Sequence, residues 1–298
     1  MTGTPPVPGA ESAADPGAGP DRGAGSAAIP PVLLVGGGKM GGAMLAGWRE
    51  RGLAPSVVVD PAPAAAALAG PGVLVVPGAD AVPGDFRPAA LVLAVKPQQA
   101  DATVPAYARF AAGGAVVLSI MAGRTVAGLR ALLGPGAAPG GAVVRAMPNT
   151  PAAIRRGITA AYAGPEVAPE RRALCDALLA SVGEVAWVED EGLLDPVTAV
   201  SGGGPAYVFL LAELLERAAR EQGLPPDLAR RLARATVSGS GALLAASAED
   251  AGALRRAVTS PNGTTERALA VLMGEDAWPA LISRAIDAAT ARSRELAG

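Results

Sequence analysis

The chain has 298 residues and no histidine. That removes the commonest general acid–base, any Ser-His-Asp triad and every His-ligated metal site. One cysteine, Cys175, cannot form an internal disulfide or a thiolate metal cluster, and it fits a reducing compartment. Aromatic residues make up only 3%, so any core has to be aliphatic. No run of Lys or Arg marks a nucleic-acid or membrane surface; the formal net charge is −2, from 25 basic and 27 acidic residues. No stretch reads as both long and apolar enough to span a membrane, so a soluble, cytoplasmic protein is expected. Chemistry is left to hydroxyls, carboxylates, backbone amides or a bound cofactor.

Half of the residues are hydrophobic, enough for a sizeable core in one large domain or two ordinary ones. Residues 1–29 are rich in Pro, Gly, Ala and Ser without an apolar period, and a disordered leader is expected there. It lacks the basic start and apolar stretch of a secretory signal. From Pro31 short apolar runs alternate with helical patterns: "VLLV", "VVVD", "VLVV", "ALVLAV", "AVVLSI" and "AVVRAM". This alternation predicts a doubly wound parallel α/β sheet, a dinucleotide-binding domain over residues 30–188. Residues 189–298 read as an all-α domain of long helices whose apolar stripes are core, in part against a second subunit.

Gly36, Gly38 and Gly41 match G-x-G-x-x-G between a strand and a helix. The first allows the tight turn, the second lets backbone approach a pyrophosphate, and the third lets helix and strand pack closely. A purely structural glycine turn is the alternative. Asp60 ends the second strand, where a carboxylate can accept from ribose hydroxyls and repel a 2′-phosphate; no Arg or Lys follows at once. The residues therefore lean towards NADH over NADPH, with a plain turn residue before Pro61 as the other reading. Lys96 in "AVKPQ", with "SIMAG" and "MPNTP", ends strands on the edge where open α/β sheets bind ligands.

In "VTSPNGTT", Pro261, Asn262 and Gly263 form a turn, and Thr264 and Thr265 open a helix. Unpaired amides at such a start favour an anion, and a small carboxylate is a natural guest. "SGGGP" (Ser201–Pro205) reads as a second glycine-rich helix start. Ordinary caps are the bland alternative for both.

"VLLVGGGKMGGAML", "VLAVKPQ", "LSIMAG", "VRAMPNTP", "EGLLDPVTAVSGGGPAYVF" and "VTSPNGTTERAL" occur in the order seen in pyrroline-5-carboxylate reductases, which the chain resembles from Val32 onward. The resemblance implies reduction of 1-pyrroline-5-carboxylate to L-proline by NADPH or NADH. It also implies a homodimer through intertwined C-terminal helices, in some members built up into a decamer. By position it puts cofactor contacts on Val35, Gly36, Gly37, Lys39, Met40 and Asp60, and on Ala94, Val95, Lys96 and Ala122, with Gly38 joining them through the glycine motif. It puts the substrate cradle on Glu191, Ala257, Thr264 and Thr265, with the Gly263 amide in the same turn and Ser260 beside it as a second candidate catalytic hydroxyl. Gly203 stands where the resembled proteins usually have Ser, Asn262 where they have Gly, and Ala257 where some have Asn.

The mechanism that follows has the Gly263–Thr265 amides hold the carboxylate while the Thr265 hydroxyl meets the ring nitrogen. A protonated C=N is already electrophilic, so positioning matters more than a strong acid, which suits a chain without His. Two other readings compete. A β-hydroxyacid dehydrogenase would need a catalytic lysine in the helical half, but no lysine follows Lys96. A dinucleotide-responsive regulator would need no substrate turn.

Overall fold

The computed structural model describes residues 28–135 and 142–297. Residues 1–27 of the expected leader lie outside the described residues. Ile29, placed in that leader, is 1% exposed and packs in the core while its carbonyl accepts from the Ala54 amide, so the packed unit starts earlier than residue 30.

Eight strands form one sheet: β1 (Val32–Val35), β2 (Ser56–Val59), β3 (Val73–Val76), β4 (Ala90–Leu93), β5 (Val116–Ser119), β6 (Val143–Met147), β7 (Gly157–Ala163) and β8 (Gly183–Trp187). Their order is β3-β2-β1-β4-β5-β6-β7-β8. Pairing is parallel except between β6 and β7, where the chain reverses. "VLLV", "SVVV", "ALVL" and "VVLS" are buried at every position, as parallel strands covered on both faces must be. Leu34, Val58, Val92, Leu118 and Val144 pack on one face against α1 (Lys39–Glu50) and later α5 (Pro169–Leu179), through Met44, Leu45, Trp48, Leu178 and Leu179. Trp48 Nε1 donates to the Leu178 carbonyl at 2.9 Å, so the largest core side chain also has its polar atom satisfied. Leu33, Val57, Leu91 and Val117 point the other way, against Phe110 of α3 (Ala108–Ala112) and Leu129 and Leu133 of α4 (Val126–Leu133); α2 (Ala100–Thr103) adds Ala100 to that layer. Alternate residues of each strand thus feed two cores, which fixes register. Strand order reverses between β1 and β4, and the crevice outside their carboxyl ends is where such sheets take ligands.

After β8 the chain is helical. α6 (Leu194–Val197), a π-helical turn (Thr198–Gly202) and α7 (Gly204–Glu221) run on without a break from Glu191. "SGGGP" does open α7, with Gly203 as its N-cap and Pro205 in the first turn, but the π turn leads straight into it. Gly203 has helical dihedrals and its amide donates to the Thr198 carbonyl at 2.9 Å, so it offers no anion site. The same continuity corrects a second expectation. By length and composition Glu191–Glu221 is apolar enough to cross a membrane, because helices that the glycines had separated on paper are fused.

α8 (Pro226–Ala246) lies along α7, and α9 (Ala251–Ala257), α10 (Thr264–Leu272) and α11 (Trp278–Ala297) complete the chain. α11 returns to pack on α6 and the π turn, where Ser293 Oγ donates to Asp195 Oδ1 at 2.7 Å. Outside these contacts the helices are bare: Phe209 is 67% exposed, and Leu210, Leu243, Val271 and Ile282 are exposed with it.

Candidate active site

Gly36 follows β1 with φ +99°, a region closed to most side chains, and a Cβ there would lie 2.6 Å from the Ala94 carbonyl oxygen. The absence of a side chain thus lets the ends of β1 and β4 close together, with the Ala94 amide donating to Val35 at 2.7 Å. Gly38 caps α1 with no side-chain hydrogen bond, and a Cβ on it would meet nothing within 4 Å. An open, uncapped start of a 12-residue helix beside the sheet switch is a cradle for a pyrophosphate, so these residues fit a dinucleotide. Lys39 and Lys96 are exposed at its rim, Met40, Ala94 and Val95 are half-buried, and Val35 is buried beneath.

Asp60 Oδ2 accepts from the Gly37 amide at 2.7 Å and Oδ1 from the Ala62 amide at 2.8 Å. The carboxylate is thereby fixed against the glycine loop, more than a turn residue before Pro61 requires. Arg124 ties two neighbouring loops together: it forks onto Asp101 at 3.0 and 2.9 Å, and its Nε donates to the Pro97 carbonyl. The Lys96 and Ala122 loops are held at one edge in this way.

Glu191 opens the helical half. Its Oε1 accepts from Arg145 Nη1 and from the Val126 amide, each at 2.7 Å. Sequence reasoning missed Arg145, although the signal was present: an arginine inside the apolar run "AVVRAM" has to be buried, and a buried cation needs a partner.

The turn before α10 departs in part from expectation. Asn262 sits at φ +60°, a left-handed position that Asn tolerates almost as Gly does, which accounts for Asn at this place. Glu266 Oε2 accepts from the Asn262 amide at 2.8 Å. The Gly263 amide donates to the Ser260 carbonyl at 3.0 Å, so it is spent within the turn and cannot join the carboxylate cradle as expected. Thr264 and Thr265 keep free amides, and both side chains are exposed, as are Ser260 and Ala257.

Among the described residues no hydrogen bond or ion pair joins residues 251–275 to the sheet. The structure thus brings Gly36, Asp60, Lys96, Ala122 and Glu191 to one edge. It does not bring Ser260, Thr264 or Thr265 there within one chain.

Residues 191–296 match the family described as pyrroline-5-carboxylate reductase dimerisation, and residues 31–123 match one described as NADP oxidoreductase coenzyme F420-dependent. The chain is 37% identical over 275 residues to the pyrroline-5-carboxylate reductase of Pseudomonas aeruginosa, covering 90% of this chain and 97% of that protein. It belongs to the pyrroline-5-carboxylate reductase family. The Mycobacterium tuberculosis reductase of strain H37Rv is 36% identical over 292 residues, at 89% and 96% coverage. The solved reductase of Coxiella burnetii superposes with a TM-score of 0.81 at 31% identity, covering 90% of this chain and 98% of that one. A Plasmodium falciparum pyrroline carboxylate reductase solved with NADP bound, 23% identical over 91% of this chain and 98% of that one, shares the fold with a TM-score of 0.75. Membership of the reductase family gives the bare apolar helices a reason: the region that carries them is the family's dimerisation region.

Proposed function

We propose that the protein reduces 1-pyrroline-5-carboxylate to L-proline with a reduced nicotinamide dinucleotide, the last step of proline biosynthesis, as a cytoplasmic homodimer. The observation that carries this is the start of α10, whose free Thr264 and Thr265 amides suit a carboxylate, in a chain whose other half holds an open dinucleotide cradle.

Gly36, Gly37, Gly38, Lys39 and Met40 would hold the pyrophosphate side of the dinucleotide, Asp60 the adenosine ribose, and Ala94, Val95, Lys96 and Ala122 the approach to the nicotinamide. When bound, it supplies the hydride. The protein's own task is placement. The Thr264 and Thr265 amides fix the substrate carboxylate. The Thr265 hydroxyl donates to the lone pair that develops on the ring nitrogen, with Ser260 beside it and Glu191 across the cleft. Because the turn and the sheet do not meet within one chain, the turn of a second copy completes the site, through the helices that carry Phe209 and Leu210. Five such dimers would form the decamer that the resemblance implies.

Consumption of reduced cofactor, followed optically with and without the imine, tests the reading. Rapid loss of absorbance only when the imine is present is expected; cofactor binding without turnover would leave a dinucleotide-responsive regulator instead.

A further inference from the structure

The joint between the two halves is built from a poor stabiliser. Arg145 is 7% exposed, and its Nε is buried with no partner among the described residues. Desolvating both ions offsets most of their attraction, the orphaned donor adds to the cost, and an apolar pair of similar volume would hold the joint as well. What the ion pair provides is direction. Glu191 Oε1 takes two donors at 2.7 Å while Oε2 takes none among the described residues, so the carboxylate is held against rotation with one oxygen open. Arg145, midway along β6, stands opposite Ser119 at the carboxyl end of β5, and Val126 begins the helix that follows the Ala122 loop. This is the ligand edge of the sheet.

A protonated cyclic imine offers a single hydrogen-bond donor, its ring N–H, and that is also its cationic atom. We propose that Arg145 is a positioning residue: by occupying Glu191 Oε1 it aims Oε2 at the ring N–H, so that the site takes the protonated imine. Thr265 then faces the lone pair that appears on the same nitrogen, and the two contacts do not compete. The inference rests on the proposed reaction and deepens it.

The full-length protein and its R145M, R145K, E191Q and R145M/E191Q variants are to be compared for imine and dinucleotide kinetics, oligomer size and thermal stability. R145M is expected to keep its assembly, with some fall in Tm from the unpaired Glu191, while KM for the imine rises at least about tenfold and kcat and the dinucleotide KM change less than about twofold. R145K should fall between wild type and R145M, and R145M/E191Q should be no worse than E191Q, since both act through one contact. An unchanged imine KM in R145M, or a uniform loss that tracks a lowered Tm and is not relieved in R145K, overturns the inference. Should R145M fold poorly, R145K decides alone: a raised imine KM at wild-type Tm supports the proposal, and a wild-type KM sinks it. Absence of imine reduction by the unaltered protein would overturn the functional reading as well, whereas normal wild-type turnover beside an unchanged R145M overturns this inference only.

Discussion

At the scale of single residues the proposed reaction rests on hydroxyls and amides, and the side chains should respond accordingly. Thr265→Ala removes one oriented donor and is expected to lower kcat/KM for the imine by about 2–4 kcal/mol, as for a single oxyanion-hole donor, while leaving dinucleotide affinity unchanged. Steady-state kinetics with each substrate varied would show this. Asp60 is pinned by the Gly37 and Ala62 amides, and in the proposed binding mode its carboxylate would face a 2′-phosphate. Asp60→Ser is therefore expected to raise kcat/KM for NADPH relative to NADH, and an unaltered ratio would refute the role. Burial pushes the Cys175 thiol up to about 12, with Asp176 adding to the effect. The fold thus favours the neutral thiol: its contribution is fully present below the ordinary thiol pKa of about 8.5 and is lost as pH rises towards the folded value. Denaturant melts between pH 8 and 11 (about the accessible alkaline range) should show wild type losing stability that Cys175→Ala does not lose. Burial, reinforced by Asp80, likewise raises the pKa of Tyr107, so its phenol contributes in the same sense. Much of this was legible beforehand, since a glycine motif between strand and helix and an acid at the end of β2 announce themselves. The partners of Glu191 were not, because Arg145 and Val126 lie 46 and 65 positions away and meet it only through sheet order.

Among elements, the long run from Glu191 to Glu221 shows where local reading fails. Three consecutive glycines read as a break, yet the backbone keeps helical dihedrals there: Gly202 ends a π turn and Gly203, in the helical region, leads directly into α7, drawn close by packing against Met147 at the end of β6. A Cβ on Gly202 would come within 2.5 Å of Met147 Cε, which is how closely that packing is drawn. Gly203 is filled from outside: a Cβ there would stand 2.6 Å from Tyr207 Oη, whose hydroxyl donates to the Ala199 carbonyl at 3.0 Å. Gly203→Ser, the residue that the resemblance implies at this position, should therefore displace Tyr207 and forfeit that bond. A loss of about 0.5–1.5 kcal/mol, offset in part by better helix propensity, is expected in chemical melts. The strands, by contrast, were nearly all recognisable, since four-residue runs such as "ALVL" with every position buried leave little choice of conformation.

On the scale of the whole molecule, the sheet half is well covered and the helical half is not. Phe209, Leu210, Leu214 and Leu215 follow one another along α7 with large exposed areas, and Leu243 and Leu244 repeat this on α8. Exposed apolar side chains gathered in this way fit an interface, and they lie in the region that matches the family's dimerisation model. Leu210→Glu is expected to shift sedimentation towards the monomer and to abolish turnover while leaving dinucleotide binding intact; retained turnover in a monomer would show that one chain suffices. Periodicity in the sequence announced such apolar stripes but not what covers them, since a stripe reads the same whether its partner is the same chain or another.

The proposed division of the site between two copies has a consequence for inheritance. Two alleles, one damaged at Gly36 and the other at Thr265, would each encode an inactive protein. Expressed together, their products would pair at random, and a mixed pair would join the sound loop of one copy to the sound turn of the other. Such alleles should complement each other, giving growth without supplied proline where neither does so alone.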